Sequence, residues 1–346
     1  MKIGLVSSAV PLIGGGGRFI VDWLREKLEE HGHQVETVYV PSNEIVPEAI
    51  LPQMAAFRMM RLQDYFERVV TFRPPSHVVR HPRKVVWFIH HIRVFYDLWD
   101  TPYRPVPDRA TQRALRAAII RADTAALREA HRVFTNSRVV GDRLRRFNGV
   151  DSEVLYPPVL RPELFASGDH GDEIVCVCRV EGHKRQHLLV EAMRHTRTPV
   201  RLRLCGVGTS AEYVRSLRRA AAEGGVADRV VVEDRWITEE EKAARLEHAL
   251  AAAYVPFDED SYGFPTIEAA HARRCTVTVP DSGGVTEFVQ DGVTGLVAEP
   301  EPRALAEAFD RLHSDRALAR RLGANAAERV SELGIDWGAV VGKLLA

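Results

Sequence analysis

The segment DEDSYGFPTIEAA, residues 258–270, carries the most specific pattern in this chain. It predicts the end of a strand, a glycine-containing turn and the first turns of a helix. Pro265 suits the first helical turn because the backbone N–H at that position has no helical partner. Such a helix end favours an anion, and the carboxylates of Asp260 and Glu268 would accept hydrogen bonds from sugar hydroxyls beside it. The segment therefore predicts a pocket for a nucleotide or a sugar phosphate.

The same segment resembles the Glu-x7-Glu signature of the retaining family 4 glycosyltransferases, which have the two-domain GT-B fold. Strict spacing places Asp260, rather than a glutamate, at the first acidic position, with Glu259 directly before it. Four further segments resemble the family in the same order, and together the matches cover most of the chain. They are GGGG (14–17), VCVCRVEGHKRQHLLVEAM (175–193), LRLCGVGTS (202–210) and DSGGVTEFVQDGVTGLVAEP (281–300).

The resemblance implies a role for four charged side chains. Arg179 and Lys184, five residues apart, would flank the donor pyrophosphate and stabilise the leaving nucleoside diphosphate as its charge develops. Glu268 would accept hydrogen bonds from the ribose hydroxyls, and Asp260 would contact the donor sugar. The alternatives are surface charge around a loop for the two cations, and an acid favoured by the helix dipole for Glu268.

Backbone positions complete the expected donor site in the second half of the chain. Thr266 and Ile267 are expected to offer N–H groups to phosphate, and Gly263 supplies the turn before them. Gly206 and Gly208 form the G-x-G turn, which would permit close approach of the backbone to the donor, although this short motif is weak evidence alone.

The first half of the chain contributes two further candidates. Gly15 and Gly16 lie in the glycine loop after the first predicted strand, and in the resembled family this loop faces the donor phosphate and the acceptor. His90 follows the apolar run of VVWFIHH, residues 85–91, and a histidine at such a strand end contacts the donor sugar in the family. The alternative for His90 and its neighbour His91 is that one caps the strand and the other is exposed.

Charge and composition limit the possible partners. The 346 residues include 47 basic and 47 acidic side chains, so no global charge favours nucleic acid. Residues 58–146 nevertheless contain 19 basic and 8 acidic side chains, a local net charge of +11. This basic segment would meet an anionic acceptor or the inner face of a membrane as a peripheral contact, or it consists of dispersed, solvated arginines.

Cysteine usage and the N-terminal sequence predict the compartment. Cys176, Cys178, Cys205 and Cys275 lack the spacing of a metal finger, so we expect reduced thiols in a cytoplasmic protein. The segment MKIGLVSSAV lacks the basic start and long apolar run of a signal peptide, and the sequence has no apolar run of about 18 residues.

Short apolar strands that alternate with helices predict parallel sheets and an α/β fold. By resemblance we expect GT-B: two facing doubly wound Rossmann-like domains with a cleft between them. Residues 1–165 would form the acceptor-side domain and residues 166–330 the domain that binds the nucleotide sugar. Residues 331–346 would form a helix that crosses back to the first domain. Residues 44–72 are expected to be irregular and partly helical.

The sequence thus predicts a retaining glycosyltransferase that moves a hexose-type sugar from a nucleoside diphosphate sugar to an acceptor hydroxyl, with no metal or other cofactor. The acceptor would be a sugar, a lipid-linked molecule or a small molecule, as in polysaccharide, glycolipid or natural-product synthesis. A nucleotide-sugar epimerase, a sugar phosphorylase and an inactive sugar-nucleotide-binding protein remain alternatives. A nicotinamide oxidoreductase needs a cleaner glycine fingerprint than GGGGRF, residues 14–19.

Overall fold

Two units, each with its own parallel sheet, make up the fold. A computed structural model describes residues 1–9, 16–42, 46–101 and 107–346. The first unit comprises Met1–Pro157 together with Ile335–Ala346, and the second comprises Pro158–Gly334. The division between the units therefore falls eight residues before the position 165 that the sequence suggests, within a proline-rich stretch. Across the described part of the chain, no helix is long and apolar enough to cross a bilayer.

The first unit is built on a parallel sheet that has six strands among the described residues, in the order β2-β1-β3-β4-β5-β6. The strands are β1 (Lys2–Ala9), β2 (Gln34–Pro41), β3 (Arg68–Thr71), β4 (Lys84–Phe88), β5 (Arg132–Thr135) and β6 (Glu153–Val154). The helices are α1 (Gly16–Glu30), α2 (Ile50–Arg58), α3 (Ala110–Arg128) and α4 (Arg138–Asn148).

The second unit repeats this architecture, with a parallel sheet in the order β12-β11-β10-β7-β8-β9. Its strands are β7 (Glu173–Val177), β8 (Arg201–Cys205), β9 (Val230–Glu233), β10 (Ala251–Ala253), β11 (Thr276–Thr278) and β12 (Gly295–Val297). Its helices are α5 (Gln186–Met193), α6 (Ala211–Glu223), α7 (Glu239–Glu247), α8 (Phe264–His271), α9 (Val285–Phe288), α10 (Pro302–Ser314) and α11 (Arg316–Glu332).

The central strands are largely buried, which is typical of parallel sheets. In β4, every residue of KVVWF is buried, and β-branched and aromatic side chains suit that environment. In the second unit, Ile174, Leu202 and Val277 lie in one core with side chains of the surrounding helices.

The sequence pattern misses β3, which lies inside the segment expected to be irregular. The four residues RVVT are all buried, and a run this short has no periodicity that distinguishes a strand from a buried helical turn. In the structure β3 pairs with β1 on one side and β4 on the other, so it lies inside the sheet.

The last helix, α12 (Trp337–Leu345), belongs to the first unit. Asp336 caps its N-terminus by accepting a hydrogen bond from the N–H of Ala339 at 2.8 Å. Val340 and Leu344 are fully buried, and the guanidinium of Arg68 donates to the carbonyl oxygen of Leu344 at 2.7 Å. Burial of one apolar face thus holds the end of the chain against the N-terminal half.

Candidate functional site

Two loops converge in the second unit where the strand order of its sheet reverses. β7 lies between β8 and β10, so the chain leaves β7 toward one side and later returns on the other. Ligands of open parallel sheets bind at the carboxyl ends of the strands at such a point. The loop after β7 carries Arg179 and Lys184, and the loop after β10 carries Glu259 and Asp260.

The buried Lys184 forms an ion pair across these two loops with the half-buried Glu259. Its ammonium group bonds the carboxylate of Glu259 and donates to the hydroxyl of Tyr254 at 2.8 Å, and the Tyr254 hydroxyl also donates to Glu259 at 2.8 Å. Only 7% of Lys184 is exposed. Burial lowers the pKa of Lys184, but the attraction of Glu259 outweighs it and leaves the pKa raised. Burial likewise raises the pKa of Glu259, and Lys184 reverses this and lowers it to about 2.

The pairing identifies which carboxylate of the Glu259-Asp260 dipeptide meets the lysine. Sequence spacing places Asp260 at the first acidic position of the motif, whereas the structure places the Glu259 side chain on Lys184 and leaves Asp260 half-buried in the turn before α8. The charge of the Lys184 ammonium group is therefore already balanced by the carboxylate of Glu259. The sequence motifs do not predict this pairing.

Arg185 holds the loops around this ion pair in place. Its guanidinium forms two hydrogen bonds to the Asp281 carboxylate, at 2.8 and 2.6 Å, and donates to the carbonyl oxygens of Val255 and Pro256 at 2.8 Å each. Asp281 follows β11, so one side chain connects the loops after β7, β10 and β11. This clamp fixes the backbone from which Lys184 and Glu259 project.

Arg179 is the more accessible of the two predicted cations. Its side chain is 47% exposed and lies 3.0 Å from Glu181, which is also 3.3 Å from the ring of His183. Burial raises the pKa of Glu181, although Arg179 and Lys184 act in the opposite direction. An anion that reaches the end of β7 would therefore meet the guanidinium of Arg179 before the ammonium of Lys184.

Glu268 lies in the second turn of α8, where it is only 2% exposed. Its carboxylate accepts a hydrogen bond from the ammonium of Lys242, on α7, at 2.6 Å. Lys242 is not among the residues predicted from the sequence, because the many charges of TEEEKAARLE, residues 238–247, are typical of a solvated helix. A signal is nevertheless present, since Lys242 shares the buried face of α7 with Ala243 and Leu246.

The start of α8 uses its own backbone donors. The N–H of Gly263 donates to the hydroxyl of Ser261 at 3.2 Å, and the N–H of Thr266 donates to the carbonyl oxygen of Gly263 at 3.0 Å. The Thr266 N–H, which the sequence predicts to face a phosphate, is thus already bonded within a tight first turn. Ile267 is fully buried in the same helix.

The predicted glycines pack against the protein's own chain. A Cβ at Gly263, where φ is +73°, would lie 2.2 Å from the Tyr254 ring, and a Cβ at Gly206 would lie 2.0 Å from the carbonyl oxygen of Cys178. The N–H of Gly208 donates to the Asp234 carboxylate at 2.7 Å. Close internal packing thus accounts for Gly206 and for Gly263, which leaves room for the Tyr254 ring beside Lys184.

The candidates of the first unit lie at the carboxyl edge of its own sheet. Gly16 is the first residue of α1, whereas Gly15 lies outside the described residues. His90 is half-buried two residues after β4, with its Nδ1 atom 2.7 Å from the carbonyl oxygen of His91. The His91 ring is buried and bonded to Asn148 at 2.9 Å, so His91 is part of the core.

The structure also shows the burial of the cysteine thiols and whether possible metal ligands are grouped. Cys176, Cys205 and Cys275 are buried free thiols, and Cys178 is half-buried. Within the described ranges, no three His, Cys, Asp or Glu side chains are grouped so that they could hold a metal ion.

Comparison with known proteins identifies the second unit. Residues 165–329 match the family described as glycosyl transferases group 1. A GDP-mannose-dependent α-(1-6)-phosphatidylinositol monomannoside mannosyltransferase of Mycobacterium tuberculosis (strain ATCC 25618 / H37Rv) is 31% identical over 195 residues, which are 53% of this chain and 50% of that protein. The α-1,3/1,6-mannosyltransferase ALG2 of Dictyostelium discoideum is 29% identical over 127 residues, 37% of this chain and 30% of that protein. The chain thus spans half or less of these relatives.

Solved structures identify the fold of the whole chain. Sucrose-phosphate synthase from Thermosynechococcus elongatus superimposes with a TM-score of 0.79 at 21% identity, covering 99% of this chain and 98% of that one. Anabaena HepE in complex with UDP and glucose gives a TM-score of 0.74 at 16% identity, with the same coverage. The protein has the GT-B fold, as the sequence motifs predict, and residues 165–329 carry its match to the group 1 glycosyl transferases.

The depressed pKa of Glu259 predicts a pH-dependent loss of stability in the Glu259→Gln variant. The ionised carboxylate contributes stability that is fully present above its ordinary pKa near 4.5 and is lost as the pH falls toward 2. We expect the variant to lose about 3 kcal/mol of unfolding free energy at pH 7, because Lys184 remains buried and unpaired. Urea denaturation between pH 7 and pH 3 measures this difference, which should shrink below pH 4.5.

Glu240→Gln is the matched control, because Glu240 is an exposed carboxylate that pairs with Arg161. This variant should change the unfolding free energy little. A loss in Glu259→Gln that stays constant across the whole pH range would contradict the assigned ion pair.

Proposed function

We propose that this protein is a retaining glycosyltransferase that moves a sugar from a nucleoside diphosphate sugar to an acceptor hydroxyl. The observation that carries the proposal is the convergence of Arg179, Lys184 and Glu259 at the reversal point of the second sheet, inside a domain of the group 1 family. The relatives named as mannosyltransferases and the HepE complex with UDP and glucose support a nucleotide-sugar donor.

In the proposed reaction the second unit binds the donor. Arg179 bonds the diphosphate directly, and Lys184 adds positive charge behind it, which stabilises the leaving group as the glycosidic bond breaks. The diphosphate would draw Lys184 partly away from Glu259, so the ion pair serves as a resting arrangement. Glu268 accepts hydrogen bonds from the ribose, and Asp260 and His90 are proposed to contact the donor sugar. No metal or cofactor takes part in these steps.

The acceptor is proposed to be a sugar, a lipid-linked molecule or a small molecule, bound mainly by the first unit. The protein is proposed to act in the cytoplasm, with peripheral contact at the inner face of a membrane. The exposed arginines Arg80 and Arg83 and the 81% exposed Met59 support such a contact.

Cosedimentation with vesicles tests the membrane contact. We expect binding to phosphatidylglycerol vesicles but not to phosphatidylcholine vesicles, and this binding should weaken in about 0.5 M salt because the charges are screened. Equal binding to both kinds of vesicle, or to neither, would contradict the proposal.

The role of Arg179 predicts a selective loss of nucleotide affinity in the Arg179→Ala variant. Isothermal titration with UDP, GDP, ADP and dTDP first identifies the base that the wild type prefers. We then expect a loss of about 10- to 100-fold in affinity for that diphosphate, because a charge-assisted hydrogen bond is removed. The melting temperature should hardly change, since the Arg179 side chain is about half exposed.

Arg194→Ala is the matched control, because Arg194 is an exposed arginine at the C-terminus of α5, toward the other end of the same unit. It should bind the diphosphate as the wild type does. Unchanged affinity in Arg179→Ala would remove Arg179 from the site.

Product analysis tests the reaction itself. An NDP-α-sugar of the preferred base, incubated with candidate acceptors, should give an α-linked product, which proton NMR identifies from the anomeric signal. A β-linked product would contradict retention. An epimerised donor formed without an acceptor would instead indicate an epimerase, and sugar phosphate released from a glycoside and phosphate would indicate a phosphorylase.

A further inference from the structure

Three charged side chains are linked by hydrogen bonds: Glu239 and Lys242 on α7, and Glu268 on α8, which is predicted to bind the ribose. The ammonium of Lys242 lies 2.6 Å from Oε1 of Glu268 and 2.9 and 3.0 Å from the two carboxylate oxygens of Glu239. Lys242 and Glu268 are both buried, at 9% and 2% exposure. Over the described residues, Lys242 is the one hydrogen-bond partner that the Glu268 carboxylate has in the protein.

The local fold fixes this lysine in place. Thr238 and Glu241 form a reciprocal cap at the start of α7, with hydrogen bonds of 3.2 and 2.9 Å, and this cap sets the first turn that carries Glu239. Lys242 follows one turn later on the buried face, three residues after Glu239. The position of the ammonium group is therefore determined before any ligand binds.

Electrostatics make Glu268 dependent on Lys242. Burial raises the pKa of Glu268 and the nearby charge of Glu239 raises it further, while Lys242 acts in the opposite direction. Burial lowers the pKa of Lys242, but Glu268 and Glu239 outweigh this and leave it raised. Without the lysine, the buried Glu268 carboxylate would lose its hydrogen-bond partner and lie near the partly exposed carboxylate of Glu239, so Glu268 would take up a proton or turn away.

We propose that Lys242 is a positioning residue that holds one oxygen of Glu268, so that the other oxygen accepts hydrogen bonds from the ribose hydroxyls of the donor. The inference rests on the proposed function and adds to it, because it assigns the preference for ribonucleotides over 2′-deoxyribonucleotides to an ion pair that does not itself touch the ligand. Lys242 thereby selects a ribose that presents both hydroxyls.

The test compares nucleotides that differ by one hydroxyl. Isothermal titration measures UDP against 2′-deoxy-UDP and GDP against 2′-deoxy-GDP for the wild type, Lys242→Met, Lys242→Arg and Glu268→Gln. We expect the wild type to prefer the ribonucleotide by about 10-fold or more, the strength of a hydrogen bond to a charged group. Lys242→Met and Glu268→Gln should both reduce this preference to within about 2-fold, while affinity for the deoxynucleotide stays nearly constant. Lys242→Arg should restore most of the preference.

Lys27→Met is the matched control. Lys27 also pairs with a glutamate three residues away, Glu30 at 2.9 Å, but it lies in α1 of the other unit. This variant should keep the full ribose preference. If Lys242→Met does not fold, Lys242→Gln decides the question, because its amide still donates a hydrogen bond but carries no charge, and it should also lower the preference.

Other outcomes would overturn the inference. A Lys242 variant that binds both nucleotides more weakly by the same factor would show that the lysine only joins α7 to α8. Loss of the preference in Glu268→Gln, with full retention in Lys242→Met or Lys242→Gln, would show that Glu268 needs no positioning. A wild type that binds no nucleotide would instead overturn the proposed function, and this inference with it.

Discussion

The ion pair between the buried Lys184 and Glu259 is the interaction on which the second unit's site depends. It joins the loops after β7 and β10, and the Tyr254 hydroxyl completes it. A buried charge without a partner costs several kcal/mol, so neither loop can move far without breaking a costly contact. The close packing of Gly263 on the Tyr254 ring and the Arg185 clamp also hold these loops together.

Three cations of the site each form an ion pair with an acidic side chain of the protein. Arg179 is paired with Glu181, Lys184 with Glu259 and Lys242 with Glu268. Such a site is stable without a ligand, because these three cations already have acidic partners in the protein. A diphosphate would gain most from the exposed Arg179, and its ribose would use a carboxylate that Lys242 already orients. Binding would then replace internal partners instead of filling a bare basic pocket.

The sequence predicts the architecture well because its signals are local. Apolar runs alternating with helical patterns indicate the parallel sheets, and the turn at Gly263 followed by Pro265 marks the start of α8. The sequence does not reveal that Glu259 rather than Asp260 meets Lys184, since adjacent side chains differ only in direction. Lys242 is missed because it lies in a highly charged helix and its partner Glu268 is 26 residues away. The strand β3 is missed because its four residues are all buried and show no alternation of apolar and polar side chains that would indicate a strand.

The proposed function requires that the reversal point of the second sheet holds a nucleoside diphosphate. A crystal structure with a nucleoside diphosphate bound decides this without an activity assay. It should place the phosphate oxygens within hydrogen-bond distance of the Arg179 guanidinium and the ribose on the Glu268 carboxylate, with Lys242 still paired to Glu268. A nucleotide bound elsewhere, with Arg179 and Glu268 untouched, would contradict the proposed site.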